Sequence, residues 1–340
     1  MNTTVPQNSG WPSVGVKITG TGMYVPPSLI TNTDLEAMMD TSDEWILQRT
    51  GISTRHRALP GQSLRHLAVE AGRATLVDAG LSIKDIDLLI LATVGAETTC
   101  PATACRVVDE LGGGNAGALD LVAACSGFVY SMNLAHNMIR CGPMRRVMVI
   151  GAEHLTQFCE YTTRGRGTAI LFGDAAAGAV FEACPDPSRG VLAQAMHSDG
   201  SGWKDLFLPH LARDFPPDAE DRDMLGVLHM NGRAVFKFAV KTFCDLIDDT
   251  LRKASMRADE VDMFVCHQSN VRILDAARER FGIPAERLYV NIDRYGNTSA
   301  ASVPICLDEL RKAGRACDGH KVMFVAFGGG LTWASSLWQL

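Results

Sequence analysis

The chain has 340 residues, 46% hydrophobic and 21% charged, with a formal net charge of −6. That length allows one large domain or two fused halves, with core enough for an enzyme-sized site. The acidic balance excludes nucleic-acid binding as the main activity, and no apolar run approaches membrane-spanning length, so the expectation is a cytoplasmic protein without nucleic-acid or membrane partners.

Residues 1–12, with Pro6, Asn8, Ser9, Gly10 and Pro12, contain no signal-peptide-like apolar run and read as a loose tail. The amphipathic stretch "SLRHLAVEAGRATLVDAG" (Ser63 to Gly80) predicts a helix, and "LSIKDIDLLILAT" (Leu81 to Thr93) leads into a buried strand. A further apolar run, "ALDLVAA", ends just before Cys125, and "SGFVYSMNLAHNMIR" after it predicts another helix. "RVMVIGA" from Arg146 is strand-like, and the turn-rich "ACPDPSRG" (Ala183 to Gly190) marks a boundary. Proline and charge in "PHLARDFPPDAEDRDM" (Pro209 to Met224) predict an exposed excursion, and "AVFKFAVKTFCDLIDDTLRKA" (Ala234 to Ala254) predicts a long helix.

Two later segments repeat earlier ones. "MRADEVDMFVCHQ" (Met256 to Gln268) matches Leu81 to Thr93, and "KVMFVAF" from Lys321 matches "RVMVIGA", both 175 residues on. One offset serving two separated strands suggests a duplicated α/β unit, with halves at 13–185 and 186–340.

Ten cysteines are scattered without a C-x-x-C pair or framework spacing, and read as reduced thiols. An arbitrary free cysteine is more often simply buried. Cys125, however, falls where a buried strand turns into a helix, where the helix N-terminus is expected to lower a thiol pKa and backbone N–H groups can hold an oxyanion. A nucleophilic cysteine needs a nearby histidine, and His267 ends the second-half strand in "VCHQSN". Asn297, in "YGNTSAAS", opens the next helical pattern near the position equivalent to Cys125, a place where asparagine also serves as a helix cap. The 175-residue offset itself carries Cys125 onto Ala300, three residues further on. No dinucleotide fingerprint or metal-binding histidine pair is present, so neither a metal site nor a cofactor is expected.

"NTDLEAMMDTSDEWILQRTGISTRH", "AACSGF", "RGTAILFGDAAAGA", "MNGRAVFKFAV", "HQSNVRI", "YGNTSAASVP" and "FGGGLTW" occur in that order, and together resemble the thiolase-superfamily condensing enzymes, in detail the β-ketoacyl-acyl-carrier-protein synthase III family. The resemblance runs from about Val16 to the end. It implies an α/β thiolase fold of two duplicated halves in a layered α-β-α-β-α arrangement. It implies a decarboxylating Claisen condensation of an acyl-CoA primer with malonyl-acyl-carrier protein. Cys125 would take the acyl group, with the N–H groups of Cys125 and Gly329 as oxyanion hole. His267 and Asn297 would hold the malonyl thioester. Trp45 and Arg166 would clamp the CoA adenine, with Arg49 and Asn270 as further CoA contacts. Lys237 and Arg272 would meet the acidic carrier protein, and Cys100 would face the acyl pocket. A homodimer is implied, paired through a first-half strand for which Arg145 to Leu155 is suited.

Cys266, Ser269 and Gly165 depart from common family residues, the last at the adenine clamp. Alternatives are a related condensing enzyme of secondary metabolism, of polyketide or quinolone type, and a non-catalytic acyl-CoA or carrier-protein binding module. A degradative thiolase would offer a second catalytic cysteine in the role of Asn297. A hydroxymethylglutaryl-CoA synthase would need a placed glutamate, for which Glu153 qualifies only by type.

Overall fold

A computed structural model describes residues 14–219 and 222–340. The expected tail at 1–12 lies outside the described residues. The first sheet comprises β1 (Gly15–Tyr24), β4 (Leu88–Ala92), β5 (Gly117–Leu121), β6 (Arg146–Glu153) and β7 (Ala175–Cys184), in the order β1-β7-β6-β4-β5. The second comprises β8 (Gly190–Ser198), β11 (Met263–Cys266), β12 (Lys321–Gly328) and β13 (Thr332–Gln339), in the order β11-β12-β13-β8. Two short pairs stand apart, β2 (Ser28–Thr31) with β3 (Thr54–Arg57), and β9 (Leu206–Phe207) with β10 (His229–Met230).

Helices fill three layers around the sheets. Outside the first sheet lie α3 (Leu64–Ala79) and α4 (Thr103–Glu110), packed on Leu89, Leu91, Met148 and Ile150. Between the sheets lie α5 (Gly127–Cys141) and α10 (Ser302–Lys312), whose apolar sides share one core with Ile90, Val149, Val265 and Phe324. Outside the second sheet lie α7 (Gly232–Ala254) and α8 (Val271–Phe281). Short helices α1 (Asn32–Glu36), α2 (Asp43–Thr50), α6 (Arg166–Ala169) and α9 (Ile292–Tyr295) belong to the connections. This is the layered α-β-α-β-α thiolase fold, and its inner strands are apolar throughout because both faces are covered. β4, "LLILA", is buried at every position.

The strand order β1-β7-β6-β4 recurs as β8-β13-β12-β11, and β5 has no counterpart in the second sheet. β1 and β8, β4 and β11, β6 and β12, and α5 and α10 each begin 175 residues apart. The parallel pairing Leu88↔Val147 recurs as Met263↔Val322.

Two expectations need correction. The run Arg145 to Leu155 forms β6, hydrogen-bonded to β7 on one side and β4 on the other, so it has no edge to offer a partner. The edge strands are β1 and β5, and beside β5 Val122 is 74% exposed. The Pro209 to Met224 excursion is anchored: Phe215 is buried against Phe207 and His229.

Candidate active site

Cys125 sits in the turn Ala124–Ser126 between β5 and α5. Ala124 has φ +45°, a left-handed conformation that costs a non-glycine residue energy. The turn is held by Thr332 of β13, whose hydroxyl donates to the Ala123 carbonyl at 2.9 Å and lies 2.6 Å from Ser126 Oγ. Gly328, at the end of β12, presses on the same turn, and a Cβ there would lie 2.5 Å from the Cys125 nitrogen. Helix α5 has no side-chain cap, which leaves its first N–H groups for a reacting group.

The second half repeats this elbow. The turn Ser299–Ala301 precedes α10, and Ser299 has φ +48°. Asn297 lies just before it, with Oδ1 accepting the Ser299 N–H at 2.9 Å, so Nδ2 is the donor end of the amide. His267 follows β11, and its N–H continues the ladder to the Val325 carbonyl at 2.8 Å. His267 Nδ1 is 2.7 Å from Ser302 Oγ, and the ring stands edge-on to Phe327.

Cys125, His267 and Asn297 meet in one cavity of about 490 Å³, with Leu206, Met230 and Phe327 on its apolar wall. Burial dominates the electrostatics. Cys125 is only 6% exposed, and its thiol is pushed up to about 12 by burial and further by the Glu153 charge, against a lowering hydrogen bond from Ser299. This reverses the lowered thiol pKa expected from the helix terminus. Burial likewise holds His267 down at about 3, so the imidazole is neutral. Glu153, at the end of β6, is fully buried and pushed up to about 8.

At the cavity mouth, Trp45 of α2 has two guanidinium groups over its ring, Arg49 at 5.0 Å and Arg166 at 4.8 Å from the centroid. Arg166 occupies the ring face itself and donates to the Asp40 carbonyl, so a stacked adenine must displace it. Gly165 is required by packing, since a Cβ there would lie 2.1 Å from the Glu160 carbonyl oxygen. Asn270 lines the mouth and caps α8 through the Arg272 N–H, while its Nδ2 donates to the Arg49 carbonyl at 2.8 Å. Arg272 lies over Phe236, and Lys237 is exposed on α7 one turn from Arg233. Gly329 is buried beside Leu206.

Cys100 lies elsewhere. It is exposed on the loop from β4 to α4, whose end is tied to β5 through Thr103 and Ala104 N–H bonds to the Asp120 carboxylate. It does not line the cavity of its own chain. Cys266 is fully buried in β11, with burial raising its thiol pKa, and His267 keeps its place. Sequence reading missed Ser299, Ser302 and Arg233. Ser299 carried a usable signal, because the 175-residue offset pairs it with Ala124.

Two like sheets around paired inner helices, with a cysteine elbow facing a histidine and an asparagine from the other half, are the mark of the thiolase-fold condensing enzymes. Comparison with known proteins is more specific. The family model 3-oxoacyl-acyl-carrier-protein (ACP) synthase III matches residues 119–200, and that of its C terminal matches residues 251–340. The β-ketoacyl-acyl-carrier-protein synthase III of Geobacillus kaustophilus is 44% identical over 322 residues, 95% of this chain and 98% of that one. That of Caldanaerobacter subterraneus is 42% identical over 325 residues, covering 95% and 97%. The crystal structure of 3-oxoacyl-acyl-carrier-protein synthase III from Aquifex aeolicus superposes with a TM-score of 0.88 at 39% identity, over 96% of this chain and 100% of that one. The chain belongs to the β-ketoacyl-acyl-carrier-protein synthase III family, and it is a condensing acyltransferase.

Proposed function

We propose that the cavity joins an acyl-CoA primer to malonyl-acyl-carrier protein, giving a 3-oxoacyl-acyl-carrier protein and carbon dioxide at the start of fatty-acid synthesis. The observation that carries this reading is the convergence of Cys125, His267 and Asn297 in one cavity beneath a mouth carrying Trp45, Arg49, Asn270 and Arg272. Cys125 attacks the primer thioester, and the N–H groups of Cys125 and Gly329 receive the oxyanion. CoA leaves, and the malonyl thioester enters the same space. The neutral His267 and Asn297 Nδ2 then donate to its carbonyl, holding the enolate charge as carbon dioxide departs. Preorganised donors of this kind each contribute about 3 kcal/mol. The one proton of the Ser302 hydroxyl can go to the Ser299 carbonyl at 3.0 Å or to His267 Nδ1 at 2.7 Å, and His267 donates from Nε2 when that hydroxyl turns to Nδ1.

Arg233, Lys237 and Arg272 give the mouth a positive rim on a chain of net charge −6, suited to an acidic carrier. The residues needed are all side chains and backbone groups of the chain, with no cofactor in any step. Ten free thiols suit the reducing cytoplasm. The halves 13–185 and 186–340 supply the nucleophile and the histidine–asparagine pair respectively. The exposed edge β5 and Val122 suit a homodimer in which the first sheet continues into its partner. Val122→Lys should then sediment as a monomer where the parent chain sediments as a dimer.

The central experiment incubates the protein with a panel of acyl-CoAs, follows the intact mass, then adds malonyl-acyl-carrier protein. One acyl adduct on Cys125, discharged as a 3-oxoacyl product, is expected. An adduct on another cysteine, or none with any donor, would overturn the reading. An adduct discharged only by a different acceptor would favour the secondary-metabolism alternative.

A further inference from the structure

The elbow of the second half is filled from inside the protein. Its Ala300 stands where Cys125 stands in the first half, and the Ala300 N–H bonds the Glu153 carboxylate. Glu153 and Gly328 end the matching strands β6 and β12, again 175 residues apart. At Cys125 the matching position is the bare Gly328, which leaves the elbow open to a substrate. At Ala300 it is a glutamate that closes it.

This glutamate is wired to the nucleophile. Ser299 Oγ is 2.9 Å from Glu153 Oε1, and the same hydroxyl is a hydrogen-bond partner of the Cys125 sulfur. Glu153 Oε2 accepts from Thr93 Oγ1 and the Val94 N–H, each at 3.2 Å. The elements packed against Glu153 therefore offer Ser299 and the Ala300 N–H from one turn, Thr93 and the Val94 N–H from the end of β4, and the thiol of the Cys125 turn. Of these groups the thiol alone titrates.

A buried thiol beside a neutral imidazole has to lose its proton to some acceptor before it can attack. We propose that Glu153, acting through the Ser299 hydroxyl, takes the proton of Cys125 as the acyl-enzyme forms and returns it when condensation expels the sulfur. The thiol proton passes to Ser299 Oγ as the Ser299 proton passes to Glu153 Oε1. The sulfur electron pair forms the new thioester, and the CoA thiolate departs to be protonated by water. The carboxylic acid keeps the proton while the acyl group is in place. When the enolate attacks the acyl-cysteine, the carbon–sulfur bond breaks, and the proton retraces its path to the thiolate. Burial displaces the Glu153 titration upward, toward the range of a thiol, which makes this carboxylate a stronger base than an exposed one.

This inference rests on Cys125 being the nucleophile, and the test separates the two. Acylation by acyl-CoA and alkylation by iodoacetamide are followed against pH for the parent protein, Glu153→Gln and Ser299→Ala. The parent rates should rise through the Glu153 titration near pH 8. Both variants should slow acylation at neutral pH by about 100-fold, the span of general-base contributions, and move the pH step upward. Parent protein that forms no acyl adduct at Cys125 sinks the nucleophile assignment. Parent protein that acylates normally, with variants sharing its pH profile, sinks the relay alone. Should both variants misfold, the pH profile of the parent decides: its acylation rate should step upward near pH 8, and a rate unchanged across the Glu153 titration overturns the proposal.

Discussion

Asn297 and His267 are buried with fixed orientations, and the proposed reaction would use them unequally in its two stages. The amide oxygen of Asn297 accepts the Ser299 N–H, which turns Nδ2 outward as the donor, a role in the proposed scheme that does not include generating the thiolate. Asn297→Ala should therefore leave Cys125 acylation within a few-fold of the parent while lowering condensation by about 100-fold or more, the usual effect of losing one oxyanion donor. Single-turnover acylation and steady-state condensation, measured side by side, check this; equal losses in a folded variant would refute it. Trp45 supports a second prediction. Its ring carries both Arg49 and Arg166, and each such contact contributes about 0.5–1 kcal/mol at an exposed site. Acyl-CoA binding should exchange Arg166 for the base and alter Trp45 fluorescence. The signal should vanish in Trp45→Phe and persist in Lys237→Ala, which lies outside the cavity lining.

At the scale of elements, the strand–turn–helix unit is used twice and specialised once. The duplication was legible because a strand buried on both faces has little freedom in composition, so β4 and β11, and β6 and β12, kept a common apolar pattern at one offset. The triad was legible because a cysteine and a histidine each stood at a strand end. The rest depended on distances that no local pattern encodes. Ser299 and Glu153 are 146 residues apart, and Leu206 and Met230 pair across the excursion to wall the cavity. The absence of Cys100 from the cavity lining of its own chain was not legible either, since proximity to Pro101 says nothing about the α4 start being drawn to Asp120 on β5. The "GGG" run was legible as a motif without showing which glycine is sterically obligatory. A Cβ at Gly328 would lie 2.5 Å from the Cys125 nitrogen and 3.1 Å from Ala124 Cβ, whereas one at Gly329 meets Leu206 no closer than 3.2 Å. Gly328→Ala should thus displace the elbow, destabilise the protein by about 1–3 kcal/mol and abolish detectable acylation. Gly329→Ala should be milder in thermal melting. A Gly328→Ala protein that acylates at the parent rate would mean the elbow yields more readily than its packing implies.

The whole molecule carries an electrostatic signature of its buried interior. Burial holds His136 at about 4 and His267 at about 3, both below an unfolded histidine near 6.5. Between those limits the unfolded chain binds more protons than the folded one, so stability rises with pH up to about 6.5 and is lost as the pH falls toward the folded values. Glu153 acts in the opposite sense. Its folded value, about 8, exceeds the ordinary carboxyl value of 4.5, so its contribution is complete in acid and is lost as pH rises through 8. The buried thiol of Cys125, raised from 9.0 to about 12, extends that decline into alkali. Below about 6.5 the lowered histidines, His56 with His136 and His267, oppose one glutamate and the acid limb follows the histidines; above it Glu153 and then Cys125 set the decline. Thermal stability should therefore peak near pH 6.5. Replacing Glu153 by glutamine, which cannot ionise, should flatten the slope between about 6.5 and 8 while leaving the acid limb in place. Melting temperatures of the two proteins across this range provide the measurement. A Glu153→Gln curve parallel to the parent's would show that Glu153 does not change its proton occupancy on folding, and that the alkaline decline has its source in other groups.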